Sequence, residues 1–252
     1  MNIKRIGNLL RISIKVIQKT DNWWDYFKDY FKLNKNEWVI KCGKNKLYLR
    51  PNSVDRWIAT ENLIYDAYRT ETFPEHYFET VIDLGANIGA ATIFFLNKYS
   101  EANLIAIEPN PENFKQLNKN VSLNKLDDKV TEIEAAISNS TSKEVTLYLN
   151  EDHAANSVTV GSGKSIKVKN FNFRELEKFI KGRTLLKMDI EGAEAEFFQE
   201  KYLKTLKMFD HIFFEYHNLS QKINGDEIEK FIRKNNLGTY ERTRNFFYIK
   251  IC

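Results

Sequence analysis

The sequence predicts an α/β fold, a mostly parallel seven-stranded sheet covered on both faces, preceded by a helical N-terminal extension. Three observations predict it. From residue 80 onward, short apolar strands alternate with helical periods, a pattern that demands right-handed crossovers between parallel strands. The first of these strands runs directly into a glycine turn, Val81-Ile82-Asp83-Leu84-Gly85-Ala86-Asn87-Ile88-Gly89, and then into a helix. The chain closes on two adjacent strand-like runs, and a hairpin there adds one antiparallel strand.

The elements follow in order. Residues 3–19 read as an amphipathic helix with Ile3, Ile6, Leu10, Ile14 and Ile17 on one side. Residues 22–33, NWWDYFKDYFKL, form a second, aromatic helix, and 37–41 and 46–50 are short strands around a Gly-Lys-Asn turn. A helix over 55–68 completes the extension, residues 1–79. In the domain 80–252, strands are expected at 80–84, 103–108, 130–135, 184–189, 211–216, 238–242 and 246–251. Helices are expected at 87–99, 111–124 (with Pro111 at its first position), 193–202 and 226–236. Thr243-Arg244-Asn245 turns the last hairpin. Residues 136–183 break the rhythm with strands at 144–149 and 165–168 and a polar loop, 150–163; so long a connection carries function or covers a site.

Composition narrows the function. The 252 residues are 42% hydrophobic and 13% aromatic, enough for a core, which excludes wholesale disorder. Lys and Arg number 38 against 34 Asp and Glu, a net charge of +4 without a basic stripe in the body of the chain, so no nucleic-acid partner is expected. Cys42 and Cys252 form no CxxC and supply neither a metal framework nor a disulfide scaffold; a reducing cytoplasm is the expected compartment. No stretch is apolar and long enough to cross a bilayer, and the charges of residues 1–20 interrupt any signal-peptide centre. The basic flank of residues 3–19 suits an anionic lipid surface; packing on the domain or on a second copy is the alternative.

The chemistry concentrates at strand ends. Nicotinamide dinucleotides favour GxGxxG, whereas this turn reads DxGxxxG. A carboxylate at Asp83 is awkward beside a pyrophosphate and suits a cationic ligand with an amine and a sulfonium. Glu108, ending the next strand as Glu108-Pro109-Asn110, is placed to accept hydrogen bonds from ribose hydroxyls. Farther along, Asp189 with Glu191, and Glu215 with His217, fall on common faces of extended strand ends. His217 is a candidate base, or else a strand-end histidine with a structural partner. A divalent cation on Asp189 and Glu215 is a rival use, but carboxylates alone are no metal signature and no metal site is assigned. Glu194 reads as a helix N-terminal charge. His153 sits in the polar loop without an assigned role, His76 and His211 read as structural, and Trp23, Trp24 and Trp57 read as core or as sugar-stacking surfaces.

VIDLGANIGAAT, AIEPNPENFKQLNKN, LLKMDIEGAE and FFEYH, in that order, resemble the successive motifs of the FkbM family of S-adenosylmethionine-dependent methyltransferases, over roughly residues 45–250. The resemblance implies the class I methyltransferase (Rossmann-like) fold with strand order 3-2-1-4-5-7-6, and S-adenosylmethionine as cofactor. By the family pattern Asp83, Gly85, Ala86, Asn87 and Gly89 line its methionine part, with Thr92 a weaker candidate. Glu108 holds the ribose with Pro109 and Asn110 beside it, and Glu134 and Ala135 contact adenine. From the strand topology rather than the resemblance, His217 is expected to take the acceptor's proton, helped by a carboxylate from Glu215 or Asp189. Implied acceptors are hydroxyls of sugars, glycans or natural products; a cofactor-binding partner subunit without activity is the alternative, and a nicotinamide oxidoreductase a more distant one.

Overall fold

The fold is described from a computed structural model, which covers residues 3–68, 77–149, 157–158, 164–217, 224–243 and 246–252, with side chains from residue 11 onward. His76, His153, nearly all of the 150–163 loop and the Arg244-Asn245 turn lie outside the described residues.

The chain begins with helices α1 (Ile3–Lys19) and α2 (Trp23–Tyr30), a hairpin of β1 (Trp38–Cys42) and β2 (Asn45–Leu49), and the short helix α3 (Asp55–Ala59). The helix expected over 55–68 stops being α at Ala59 and widens into a π-helical turn, Thr60–Ile64. Then come β3 (Thr80–Leu84), α4 (Ala90–Lys98), β4 (Asn103–Glu108), α5 (Pro111–Leu123) and β5 (Val130–Glu134). The long connection builds β6 (Ala136–Ser138), β7 (Glu144–Tyr148), β8 (Ser165–Asn172) and a 3-10 helix, Phe173–Phe179. The chain finishes with β9 (Thr184–Met188), α6 (Leu203–Leu206), β10 (His211–Glu215), α7 (Gly225–Lys234), β11 (Gly238–Thr243) and β12 (Phe246–Ile251).

Seven strands form one sheet in the order β5-β4-β3-β9-β10-β12-β11, with β12 antiparallel to both of its neighbours. Strand alternation divides the core. Ile82, Leu84, Ile105, Ile107, Leu186 and Phe214 face one layer, with Phe173, Phe197, Ile228 and Ile232. Val81, Leu104, Ala106, Leu185 and Phe213 face the other, with Phe95, Leu96, Leu117 and Val121. A second sheet, β6-β8-β7, built from the described part of the connection, stands beside the end of β4.

Two helix boundaries depart from expectation for local reasons. Helix α4 starts at Ala90 rather than 87 because Asn87 (φ 49) and Gly89 (φ 85) take left-handed conformations. The helix expected over 193–202 is instead two 3-10 turns, Glu194–Phe197 and Glu200–Tyr202, separated by extended Gln199; this path buries Phe197, Phe198 and Tyr202 together.

The N-terminal elements dock on the outer side of α4 and α5. The β2 backbone is read by α5: Gln116 Nε2 donates to Tyr48 O at 2.7 Å, and Tyr48 N donates to Asn120 Oδ1 at 2.6 Å. Val16, Tyr26, Ile40, Leu47 and Leu49 share a core with Ile88 and Ile93. In the described half of α1, Val16 points inward, while Ile14 and Ile17 of the apolar stripe are exposed on this chain; helical spacing says which residues share a face, not which face meets the protein.

Candidate active site

The turn after β3 is built by close backbone approach. Asp189 N donates to Leu84 O at 3.0 Å, and a Cβ on Gly85 (φ 73) would lie 1.8 Å from the Asp189 carbonyl oxygen. Gly85 is thus required by the chain leaving β9 as well as by the turn. Gly89 faces away from the cleft, where a Cβ would meet Leu117 Cδ1 at 2.7 Å, so it serves the packing of α4 on α5.

Glu108, almost fully buried at the end of β4, ties this turn to the next. Asn87 N donates to its Oε2 and Asn110 N to its Oε1, both at 2.9 Å, leaving each oxygen a free lone pair. Burial pushes its pKa up to about 7 against these two hydrogen bonds, which favour the charge. Asn110 also caps α5 through Oδ1, which accepts from Glu112 N at 2.9 Å. Two buried polar atoms beside Glu108, Asn87 Oδ1 and Asn110 Nδ2, have no protein partner. Of the two, Asn87 lines the cleft, and an acceptor left over there is what a polar ligand fills. The cleft, about 570 Å³ out to its open mouth, is lined by Gly85, Asn87, Glu108, Pro109, Ala135, Asp189 and Glu191, with Leu147 and Val158 from the long connection.

Asp83 is corrected. It lies fully buried beneath the turn, where Lys187 Nζ sits 2.9 Å from its Oδ1 and Thr92 Oγ1 donates to its Oδ2 at 2.7 Å. Paired in this way, it holds the turn rather than a ligand. Lys187, missed in the sequence, also donates to Gly85 O at 2.8 Å and Leu84 O at 3.2 Å. Burial works against its charge, but Asp83 and Asp189 outweigh it and raise its pKa. The available signal was a lysine inside the apolar strand TLLKM. Glu134 is likewise corrected: it is exposed at the end of β5 and does not line the cleft, whereas Ala135, its neighbour, does.

Across the cleft, His217 is ringed by carboxylates. Its Nε2 lies 3.7 Å from Glu191 Oε2, 3.7 Å from Glu215 Oε1 and 4.0 Å from Asp189 Oδ1. Its Nδ1 lies 3.1 Å from Glu194 Oε1. Burial opposes the imidazolium, yet the Glu194 hydrogen bond and the surrounding carboxylates raise the pKa to about 10. This corrects the neutral base read from the sequence, because at neutral pH the ring is already protonated. Burial raises Glu191 and Glu215 to about 7, Asp189 adding to the rise and His217 opposing it.

Glu194 is corrected as well. It is fully buried and is no exposed helix charge: its carboxylate accepts from Ile190 N at 2.9 Å and Gly192 N at 3.0 Å besides facing His217. That clamp turns the chain through left-handed Glu191 (φ 52) and Gly192 (φ 100), so Asp189 and Glu191 converge without the extended backbone that the sequence suggested. Asp189, Glu191 and His217 each bring one ligand atom to within 4.8 Å of the others and could hold a divalent ion. His211, by contrast, is buried against Tyr248 OH at 2.5 Å, a structural position.

A second opening of the cleft leads from His217, Glu215 and Asp189 to the N-terminal extension, where Trp57, Glu61 and Asn62 form the wall. Asn62 Nδ2 donates to Ile58 O at 2.8 Å, while its Oδ1 is buried without a partner. Trp57 is more than half exposed at this rim and is not core.

A parallel sheet with a glycine turn after its first strand, a carboxylate ending its second and polar groups converging beyond the fourth and fifth defines a nucleotide-cofactor-binding α/β protein with its ligand at the carboxyl ends of the strands. The model of the methyltransferase FkbM domain matches residues 83–238, and the chain belongs to that family. The family is described as a methyltransferase domain. The chain is also similar to "Methyltransferase 1" of Beauveria bassiana (strain ARSEF 2860), 33% identical over 67 residues, which span 27% of this chain and 26% of the relative. Among solved structures it is similar to M. jannaschii TYW2 in complex with AdoMet, with 18% identity, TM-score 0.45 and coverage of 86% and 84% of the two chains. It is similar too to methyltransferase FkbM from Methylobacillus flagellatus KT, with 14% identity, TM-score 0.45 and coverage of 72% of this chain and 46% of that one.

Proposed function

We propose that the chain transfers the methyl group of S-adenosylmethionine to a hydroxyl of a sugar or glycan. The observation that carries this reading is the ring of Asp189, Glu191 and Glu215 around His217, opening on the same cleft as the Gly85 turn and Glu108. The cofactor supplies an electrophilic methyl carbon. Glu108 offers both free lone pairs to ribose hydroxyls, and Asn87 Oδ1 offers a further acceptor. Ala86 and Gly85 give the wall against which the methionine part lies.

On the acceptor side, a hydroxyl must lose its proton as the new bond forms. Glu215 or Glu191, with a pKa near 7, takes it. The His217 imidazolium holds the carboxylate ring together and opposes the rise of the Glu191 and Glu215 pKa values. Trp57 offers an aromatic face, and Glu61 and Asn62 Oδ1 offer acceptors, a combination that suits a ring bearing several hydroxyls.

Methyl transfer from labelled cofactor to cell-envelope sugar extracts tests the proposal, with the product analysed for O-methyl sugar. Labelled product carrying methyl on nitrogen or carbon would refute the acceptor class. Binding of S-adenosylhomocysteine without turnover on any hydroxyl acceptor would point to an inactive partner subunit. Loss of activity with EDTA, restored by Mg²⁺ or Mn²⁺, would assign Asp189, Glu191 and His217 to a metal instead of a proton relay.

A further inference from the structure

Helix α2 is amphipathic in the inverted sense. Its inward face carries Tyr26 and the buried carboxylate of Asp29, which pairs with Arg56 Nε at 3.0 Å and accepts from Trp38 Nε1 at 3.2 Å. Its outward face carries Trp23, Trp24, Tyr30 and Phe31, at spacings of one, seven and eight residues from Trp23, which place them on a single side. Trp24 is 60% exposed, Phe31 65% and Leu33, just beyond, 66%. The neighbouring α1 adds Ile14 and Ile17, both about half exposed. An ion pair on the protein side and an aromatic row on the solvent side is the reverse of what a helix packed for its own fold presents.

Charge selects the occupant of this face. Residues 1–35 carry eight Lys and Arg against three Asp, a net +5, whereas the whole chain carries only +4; everything after residue 35 sums to −1. Arg11, Lys19, Lys32 and Lys35 are exposed on the same two helices and the turn that follows them. Tryptophan and tyrosine with flanking lysines are the side chains that settle at the headgroup level of a bilayer. No helix among the described residues is long and apolar enough to cross a membrane, so the contact is one of lying on the surface.

We infer that the outward faces of α1 and α2 form a docking surface for an anionic lipid membrane, with Trp24, Phe31 and Leu33 entering the headgroup region and the surrounding lysines meeting lipid phosphates and carboxylates. This surface does not depend on which acceptor is methylated.

The test is sedimentation of the full chain with vesicles. The chain is expected to pellet with mixed phosphatidylcholine–phosphatidylserine vesicles and much less with phosphatidylcholine alone, and to be released as salt rises. The Trp24→Ser/Phe31→Ser double variant is expected to bind the mixed vesicles at least about tenfold more weakly. Both positions are exposed, so S-adenosylhomocysteine binding by the variant is expected to match the parent and serves as the control for folding. Failure of the parent to pellet with the mixed vesicles overturns the inference, as does equal pelleting of parent and variant. Analytical ultracentrifugation covers the other occupant. A parent dimer that vesicles do not dissociate, and that the double variant loses, would make this face an interface between two copies of the chain.

Discussion

The two sides of the cleft are built on different principles. On the side of the β3 turn, position is set by main chain: Gly85 exists because Asp189 O lies where a Cβ would go, and Glu108 is held by two backbone N–H groups. On the side of β9 and β10, position is set by a balance of charge, with one imidazolium among four carboxylates and two of those carboxylates raised to about 7. The first side tolerates a change of charge better than a change of shape. The second tolerates the reverse.

That contrast can be broken by substitutions that separate charge from shape. The largest effect is expected from Glu215→Gln or Glu191→Gln, whichever is the base: an isosteric loss of charge that lowers turnover by about 10²–10⁴-fold in a labelled-methyl assay while S-adenosylhomocysteine affinity stays level in calorimetry. Equal, small losses in both variants would remove the carboxylates from proton transfer. Next comes Gly85→Ala, a single methyl without charge, expected to cost about 3 kcal/mol or more in denaturant unfolding because backbone atoms must move apart. An alanine variant of native stability would show that the turn is looser than its contacts imply.

Smaller is Glu108→Gln, which keeps the shape and weakens the charge-assisted ribose bonds. About a tenfold loss of S-adenosylhomocysteine affinity is expected by calorimetry, and a loss of a thousandfold would place charge, not shape, in control of this side as well. Smallest is a pH effect. Glu108 binds ribose hydroxyls best when ionised, so affinity should rise a few-fold as pH climbs through about 7, with proton uptake into buffer on binding. For turnover, the acidic limb should also fall near 7, where Glu191 and Glu215 ionise, and an alkaline limb should fall near 10, where His217 loses its proton. His217→Ala should erase the alkaline limb; its survival would assign that limb elsewhere.

The same contrast explains what could be read in the sequence. Gly85, Asn87, Glu108 and Asn110 were legible because strand-turn-helix chemistry is local, and each acts within a few residues of its own turn or on the neighbouring strand's. Asp83 was assigned to a ligand because nothing local reveals Lys187, a hundred residues on, as its partner. Glu194 and the charge state of His217 were misread for a related reason: both depend on groups that only the packed ends of β9 and β10 assemble. The outward aromatic face of α2 was invisible in the same way, since periodicity fixes a stripe but not its direction.

The approach of Gly85 to Asp189 has a consequence for altering selectivity. Because the cofactor turn and the first acceptor-side carboxylate share one backbone seam, joined also by Lys187 reaching Gly85 O, neither can be redesigned alone. The wall that carries Trp57, Glu61 and Asn62 touches neither strand's hydrogen-bond ladder and arrives from a separate stretch of chain. An engineer seeking a new acceptor should therefore leave the seam intact and vary the cleft-facing Trp57, Glu61 and Asn62, keeping Asp55, Arg56, Ala59 and Ile64, which anchor that segment to the N-terminal core.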